Sequence, residues 1–117
     1  MGLLSWLPFG QVPELAATQL KEALEGPNPP QLVDVRSHGE YRHGHIQGAV
    51  SAPITSLASV LAELRLDPKR PVVAICLSAH RSIPAVRLLR QKGFEASQLA
   101  GGMYAWRAAE LPETAGI

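Results

Sequence analysis

The chain reads as an α/β domain with an open, mainly parallel central sheet of about five strands and helices on both faces. Three observations carry this reading. Short β-branched runs, "QLVDVR" at 31–36 and "PVVAICL" at 71–77, look like strands buried on both sides. Segments with apolar residues at helical spacing alternate with them. Polar loops containing glycine or serine follow the strands, on the side where such sheets place their ligands.

Taken in order, "TQLKEALE" at 18–25 carries Leu20, Ala23 and Leu24 at helical spacing and should stop before "GPNPP". "QLVDVR" follows as a strand ending in charge. "SHGEYRHGHIQG" reads as loop, with a single helical turn at "EYR", and "AVSAPI" at 49–54 as a second, weaker strand. Residues 55–66, "TSLASVLAELRL", set Leu57, Val60, Leu61 and Leu64 on one helix face, with Thr55 or Ser56 as the cap. "PVVAICL" is the central strand. Ile83, Val86 and Leu89 mark the next helix, interrupted where Arg90 takes an apolar position. Pro84 is tolerated only in a first turn, so this helix starts near Ser82, and Gly93 should close it. "EASQLAGG" gives a last strand, and "MYAWRAAE" a last helix ended by Pro112.

With 117 residues, 46% of them hydrophobic, the chain is long enough for one domain with its own core. The expected division is an apolar N-terminal arm at 1–11, a single domain at 12–112 and a tail at 113–117. The arm, "MGLLSWLPFG", has no basic leader, breaks at Pro8 and carries Trp6 where a myristoylation signal needs Ser or Thr. It reads as neither signal peptide nor transmembrane segment, and either folds back on its own domain or docks on a partner or membrane surface. A net charge of +1 without basic runs argues against nucleic acid as a partner. The single cysteine excludes an intrachain disulfide and a cysteine-based metal finger, and favours a reducing, cytoplasmic location. His38, His43 and His45 lie close in sequence, but no thiolate or carboxylate set converges with them, so no metal or other cofactor is expected.

That one thiol sits in "CLSAHRS" at 76–82, between the central strand and a helix. A tight turn there would point backbone N–H groups inward, an anion nest reinforced by the helix dipole. Arg81 adds a fixed cation and His80 a second when protonated. Such surroundings lower a thiol's pKa from about 8.5 and make the thiolate available as a nucleophile. On residue type alone, a buried structural cysteine fits equally well. The spacing Cys-x4-Arg is one residue shorter than the Cys-x5-Arg loop of cysteine-dependent phosphatases, so the ring should enclose a single sulfur rather than a phosphoryl group.

"LVDVRSHGEYRHGHIQGAVSAPI" at 32–54, "CLSAHRS" and "LAGGMYAW" together resemble, in order, the motifs of the rhodanese-like domain family over about residues 12 to 111. The resemblance implies a rhodanese-like fold and a sulfurtransferase, moving sulfane sulfur through a persulfide on Cys76 without a cofactor. It implies that the backbone of Leu77, Ser78, Ala79, His80, Arg81 and Ser82 cradles the sulfur and that Arg81 holds the loop. Asp34 would tie the loop in place. Arg36 and Glu40 would either orient a donor or form an ion pair with each other, and the pair is the expectation. Trp106 and His45 are expected in structural roles. The implied partners are a small sulfur-donor anion or persulfide, and an acceptor that is cyanide, a thiol or a thioredoxin-like dithiol protein.

Two departures from the family pattern bear on chemistry. Ala79 stands where the family usually has glycine, so a positive φ there would cost on the order of 1 kcal/mol. Leu77 and Ser78 lack basic side chains, and Glu40 adds negative charge at the entrance. An organic persulfide should therefore be handled better than dianionic thiosulfate. The other function classes are a non-catalytic rhodanese-like binding module and, against the loop length, a phosphatase or arsenate reductase.

Overall fold

The computed structural model describes residues 11–117. The expected N-terminal arm falls almost wholly outside the described residues. Strands β1 (Glu14–Leu15), β2 (Gln31–Asp34), β3 (Val50–Ser51), β4 (Val72–Ile75) and β5 (Ala96–Leu99) form one sheet in the order β1-β5-β4-β2-β3. Every pairing is parallel. The helices are α1 (Ala17–Leu24), α2 (His38–His43), α3 (Ile54–Val60), α4 (Ser82–Gln91) and α5 (Gly102–Ala108), with a 3₁₀ turn at Leu61–Leu64.

Strand alternation sorts the core into two layers. Val72, Ala74 and Cys76 face one side, where Leu57 of α3 and Ala85, Val86 and Leu89 of α4 cover them. Val73 and Ile75 face the other, against Leu20 of α1 and Met103 and Trp106 of α5. Both faces of β4 are closed to water, as its unbroken apolar sequence requires. Trp106 is 1% exposed and its indole N–H donates to Pro112 O at 2.8 Å, so it is a packing residue with its polar edge satisfied.

Several boundaries differ from the sequence expectation, each for a local reason. α3 starts at Ile54, with Pro53 rather than Thr55 or Ser56 in the capping position. It gives way to the 3₁₀ turn, whose spacing of three eclipses Leu61 and Leu64 so that both reach the core. β3 is only two residues long because Pro53 interrupts the ladder, although Ala52 and Ile54 still donate to Asp34 O and Val35 O. Arg90, the odd residue in the α4 stripe, donates to Ala96 O at 2.7 Å and ties the helix end to β5. Lys92 caps α4 and Gly93 follows with a φ of +96°. The expected loop at 37–48 holds a full helix, α2, nucleated by a capping box. The Ser37 hydroxyl accepts from Glu40 N–H at 3.2 Å, and Glu40 Oε1 accepts from Ser37 N–H at 3.0 Å. Thr114 exchanges backbone hydrogen bonds of 2.8 Å with His45 in both directions, which holds the C-terminal residues beside α2.

Candidate active site

Parallel strands carry their chemistry at the carboxyl end of the sheet, and there the chain passes from β4 through 76–81 into α4. Alternation turns the Cys76 side chain to the α4 face, beneath Ser82. Cys76 is 1% exposed, and its cover is the loop itself, with Leu77, Ser78, Ala79 and Arg81 partly exposed and His80 exposed. Ala79 N–H donates to Sγ at 2.8 Å, and the N–H groups of Ser78 and Ser82 also face the sulfur. The Ser82 hydroxyl oxygen lies 3.6 Å from Sγ. Burial pushes the thiol pKa up, but hydrogen bonds to the thiolate from the Ser82 side chain, once its hydroxyl turns to the sulfur, and from the N–H groups of Ser82, Ser78 and Ala79 outweigh it, so the thiol ionises below its ordinary value.

The turn that aims these groups has a positive φ at Ala79, +93°. The loop keeps this conformation although alanine carries a Cβ, a strain glycine would not feel. It is buttressed from below by α5. Met103 N–H donates to Cys76 O at 2.8 Å and Tyr104 N–H to Leu77 O at 3.0 Å. This approach needs Gly102, where a Cβ would overlap Cys76 O and lie 2.6 Å from Leu77 C and O. Gly102 is thus a site residue that the sequence reading left without a role. Its signal was the Gly-Gly pair before the last helix.

The charged residues pair differently from expectation. Arg36 does not meet Glu40. It lies two residues beyond Asp34 on the same side of the chain, and its Nε and Nη2 donate to Asp34 Oδ1 and Oδ2 at 2.9 and 2.7 Å. Both side chains are buried, and Arg36 Nη2 also donates to Gly44 O at 2.8 Å, so the pair pins the C-terminal end of α2 to the end of β2. Asp34 therefore organises the segment after β2, and its side-chain bonds go to Arg36 rather than to the cysteine loop. Glu40 instead takes both guanidinium nitrogens of Arg81, at 2.7 and 2.9 Å. Arg81 thereby ties the start of α4 to the start of α2, with its guanidinium turned toward Glu40. Its hydrogen bonds to Glu40, with those from Ser37, hold that carboxyl at about 2. His80 Nδ1 lies 3.0 Å from Ser78 Oγ within the loop.

The remaining histidines have separate partners. His38 Nδ1 lies 2.7 Å from Ser51 Oγ, and His43 Nδ1 lies 2.8 Å from Gly39 O. His45 is 4% exposed, stacks on Tyr41 at a centroid distance of 3.6 Å and bonds Tyr41 O. Among the described residues no three His, Cys, Asp or Glu side chains converge on a point.

The fold is a parallel five-stranded sheet with the thiol in a strand-to-helix turn whose backbone N–H groups face the sulfur. The family model for the rhodanese-like domain matches residues 16–109, and the chain belongs to that family. It is 49% identical over 83 residues to an HTH-type transcriptional regulator of Mycobacterium tuberculosis, covering 69% of this chain and 36% of the regulator. It is 32% identical over 96 residues to a thiosulfate sulfurtransferase of Shewanella oneidensis, covering 81% of this chain and 92% of that one. The solution structure of a rhodanese-like domain from Anabaena sp. superposes with a TM-score of 0.78 at 36% identity, over 92% of this chain and 81% of that one. Among the described residues no helix is long and apolar enough to cross a membrane.

Proposed function

We propose that the chain is a sulfurtransferase that carries sulfane sulfur on Cys76 and takes it preferentially from an organic persulfide. The observation that carries this is the ring of inward N–H groups around Sγ, with Ala79 N–H at 2.8 Å, in a loop with the spacing Cys-x4-Arg. The Cys76 thiolate attacks the outer sulfur of R–S–SH, the donor S–S bond breaks, and R–S⁻ leaves with the bonding pair. The cysteine persulfide is an anion at neutral pH, and the same N–H groups would hold its charge. An acceptor thiolate or cyanide then attacks the outer sulfur and releases the Cys76 thiolate, so no net redox equivalent is consumed. A thioredoxin-like dithiol protein is one acceptor of this chemistry. A reducing compartment such as the cytoplasm fits a lone working thiol.

The charges beside the loop support the donor preference. An open cleft of about 460 Å³ runs from Leu77 along Tyr104, Arg36, Glu40, His43 and Arg107. Arg36 is paired with Asp34, and Arg107 with Glu113 at 2.9 Å. Arg81, the loop's own cation, is paired with Glu40. A dianion such as thiosulfate finds these guanidiniums already neutralised and the Glu40 carboxylate ionised, whereas a persulfide brings less negative charge to the sulfur end. Initial rates of thiocyanate formation from cyanide, with glutathione persulfide and with thiosulfate as donors, test the proposal. A higher kcat/KM with the persulfide is expected. Rates no higher than those of Cys76→Ser with either donor would overturn it.

The identity with part of a transcriptional regulator favours a second reading, in which the Cys76 persulfide is held as a signal for a partner rather than passed on. That reading requires persulfide formation in stoichiometric amount with no turnover in the same assay.

A further inference from the structure

Beneath the cysteine loop, polar side chains from three elements, buried Ser82 and Gln98 and exposed Glu14, join the thiol to the edge of the sheet. Sγ lies 3.6 Å from the Ser82 hydroxyl oxygen, which donates to Gln98 Oε1 at 2.6 Å. Gln98 Nε2 in turn donates to Glu14 Oε1 at 3.0 Å. Ser82 opens α4 and is fully buried, Gln98 lies in β5 at 4% exposure, and Glu14 lies in the edge strand β1. The parallel register sets Gln98 beside Ala74 on one side and Glu14 on the other, so the chain runs across the sheet on the α4 face.

The direction of each link follows from the one beyond it. The Glu14 carboxylate has no proton to give, so it takes the NH₂ end of the amide. That turns Gln98 Oε1 toward Ser82, and a carbonyl oxygen only accepts. The Ser82 hydroxyl has one proton, which is thereby committed to Gln98. Toward Cys76 it presents a lone pair, which suits an S–H donor and not a thiolate.

We propose that Gln98 and Glu14 are positioning residues that hold the Ser82 hydroxyl in the orientation favouring the neutral thiol, so that ionisation of Cys76 requires the hydroxyl to swing from Gln98 to the sulfur. The backbone N–H groups of the loop favour the thiolate at all times, and the amide relay opposes them. The other charged groups around the thiol stand apart from the relay: Arg81 is paired with Glu40 of α2, Arg36 with Asp34 of β2, and His80 bonds Ser78. Changes at Gln98 or Glu14 leave those contacts in place. The inference concerns the same thiol as the proposed transfer but requires only its ionisation.

The test is the pH dependence of alkylation of Cys76 by iodoacetamide in the full chain, which reads the thiolate fraction. Gln98→Met frees the hydroxyl to donate to the sulfur, and a hydrogen bond to a charged group is worth about one pKa unit. The expected result is a midpoint lower by about one unit, or about tenfold more thiolate well below it. Glu14→Ala, which frees the amide to turn over, should shift the midpoint the same way by less. In a Ser82→Ala background, which has no hydroxyl to free, adding Gln98→Met should leave the midpoint where Ser82→Ala alone puts it. An unchanged or raised midpoint in folded Gln98→Met, or an equal fall in the Ser82→Ala background, would overturn the proposal. If Gln98→Met fails to fold, Glu14→Ala at the exposed sheet edge decides alone, and an unchanged or raised midpoint there overturns it. A lowered midpoint in a protein that forms no persulfide would leave this inference standing and sink the transfer reading.

Discussion

Replacing Gly102 with alanine should strike the cysteine loop from beneath. The residue has a φ of +58°, and its added Cβ would overlap Cys76 O and lie 2.6 Å from Leu77 C and O. These are backbone atoms, so no side chain can turn aside to relieve the contact. The loop and the start of α5 must separate, which breaks Met103 N–H to Cys76 O and Tyr104 N–H to Leu77 O. Left-handed backbone costs alanine about 1 kcal/mol, and each hydrogen bond contributes about 1 kcal/mol, so the loss is about 3 kcal/mol. Against a typical stability of about 5–15 kcal/mol this lowers Tm by on the order of 10 °C.

Gly48→Ala is the matched control, because Gly48 has a φ of +91° with nothing within 4 Å of the added Cβ. It carries the backbone cost alone, about 1 kcal/mol. Urea denaturation of both variants therefore isolates the loop contact as a difference of about 2 kcal/mol. Alkylation of Cys76 reads the site. Displacing the loop pulls the Ala79 N–H from the sulfur, so the thiol midpoint should rise toward its ordinary value in Gly102→Ala and not in Gly48→Ala. Equal losses of stability with unchanged alkylation in both variants would refute the buttress.

Ala79→Gly should relieve the +93° φ, and the greater freedom of glycine in the unfolded chain offsets part of that gain. A net stabilisation below about 1 kcal/mol in urea is expected, and a loss would show that the loop is unstrained. The Glu40–Arg81 pair should appear in the acid limb of stability. The Glu40 carboxyl is held at about 2, below its ordinary 4.5, so its contribution is complete above pH 4.5 and drains away as pH falls toward 2. Its side chain is 31% exposed and that of Arg81 37%, so solvent screening reduces the pair to about 1 kcal/mol. Glu40→Gln keeps a capping residue and removes the charge. The wild-type advantage in urea should shrink toward zero near pH 2, and an advantage constant with pH would contradict the pairing.

What the sequence made legible follows how local each cause is. The β-branched run before Cys76, Pro84 in the first turn and Gly93 after the last define β4 and α4 with no help from distant residues, and both stand where expected. α2 read as loop because it buries no residue and contains a glycine, so it has no apolar stripe to detect. Its signal was the Ser37-x-x-Glu40 box. β1 is two residues held only by pairing with β5, and nothing in "PELA" announces it. The spacing Cys-x4-Arg located the turn but not the direction of the arginine. Arg81 reaches a residue 41 positions away, a meeting that only the folded arrangement of α2 and α4 creates. The Asp34–Arg36 pair was local enough to see, since residues two apart share one side of an extended chain. Gln98 and Glu14 meet through sheet register across 84 positions, which no local pattern encodes.

The most direct measurement is the intact mass of the full chain after incubation with glutathione persulfide, with Cys76→Ser in parallel. A sulfurtransferase should gain the mass of one sulfur atom, lose it on addition of a thiol, and show neither change in the variant. No gain in the parent chain, or the same gain in Cys76→Ser, would contradict a persulfide carried on Cys76.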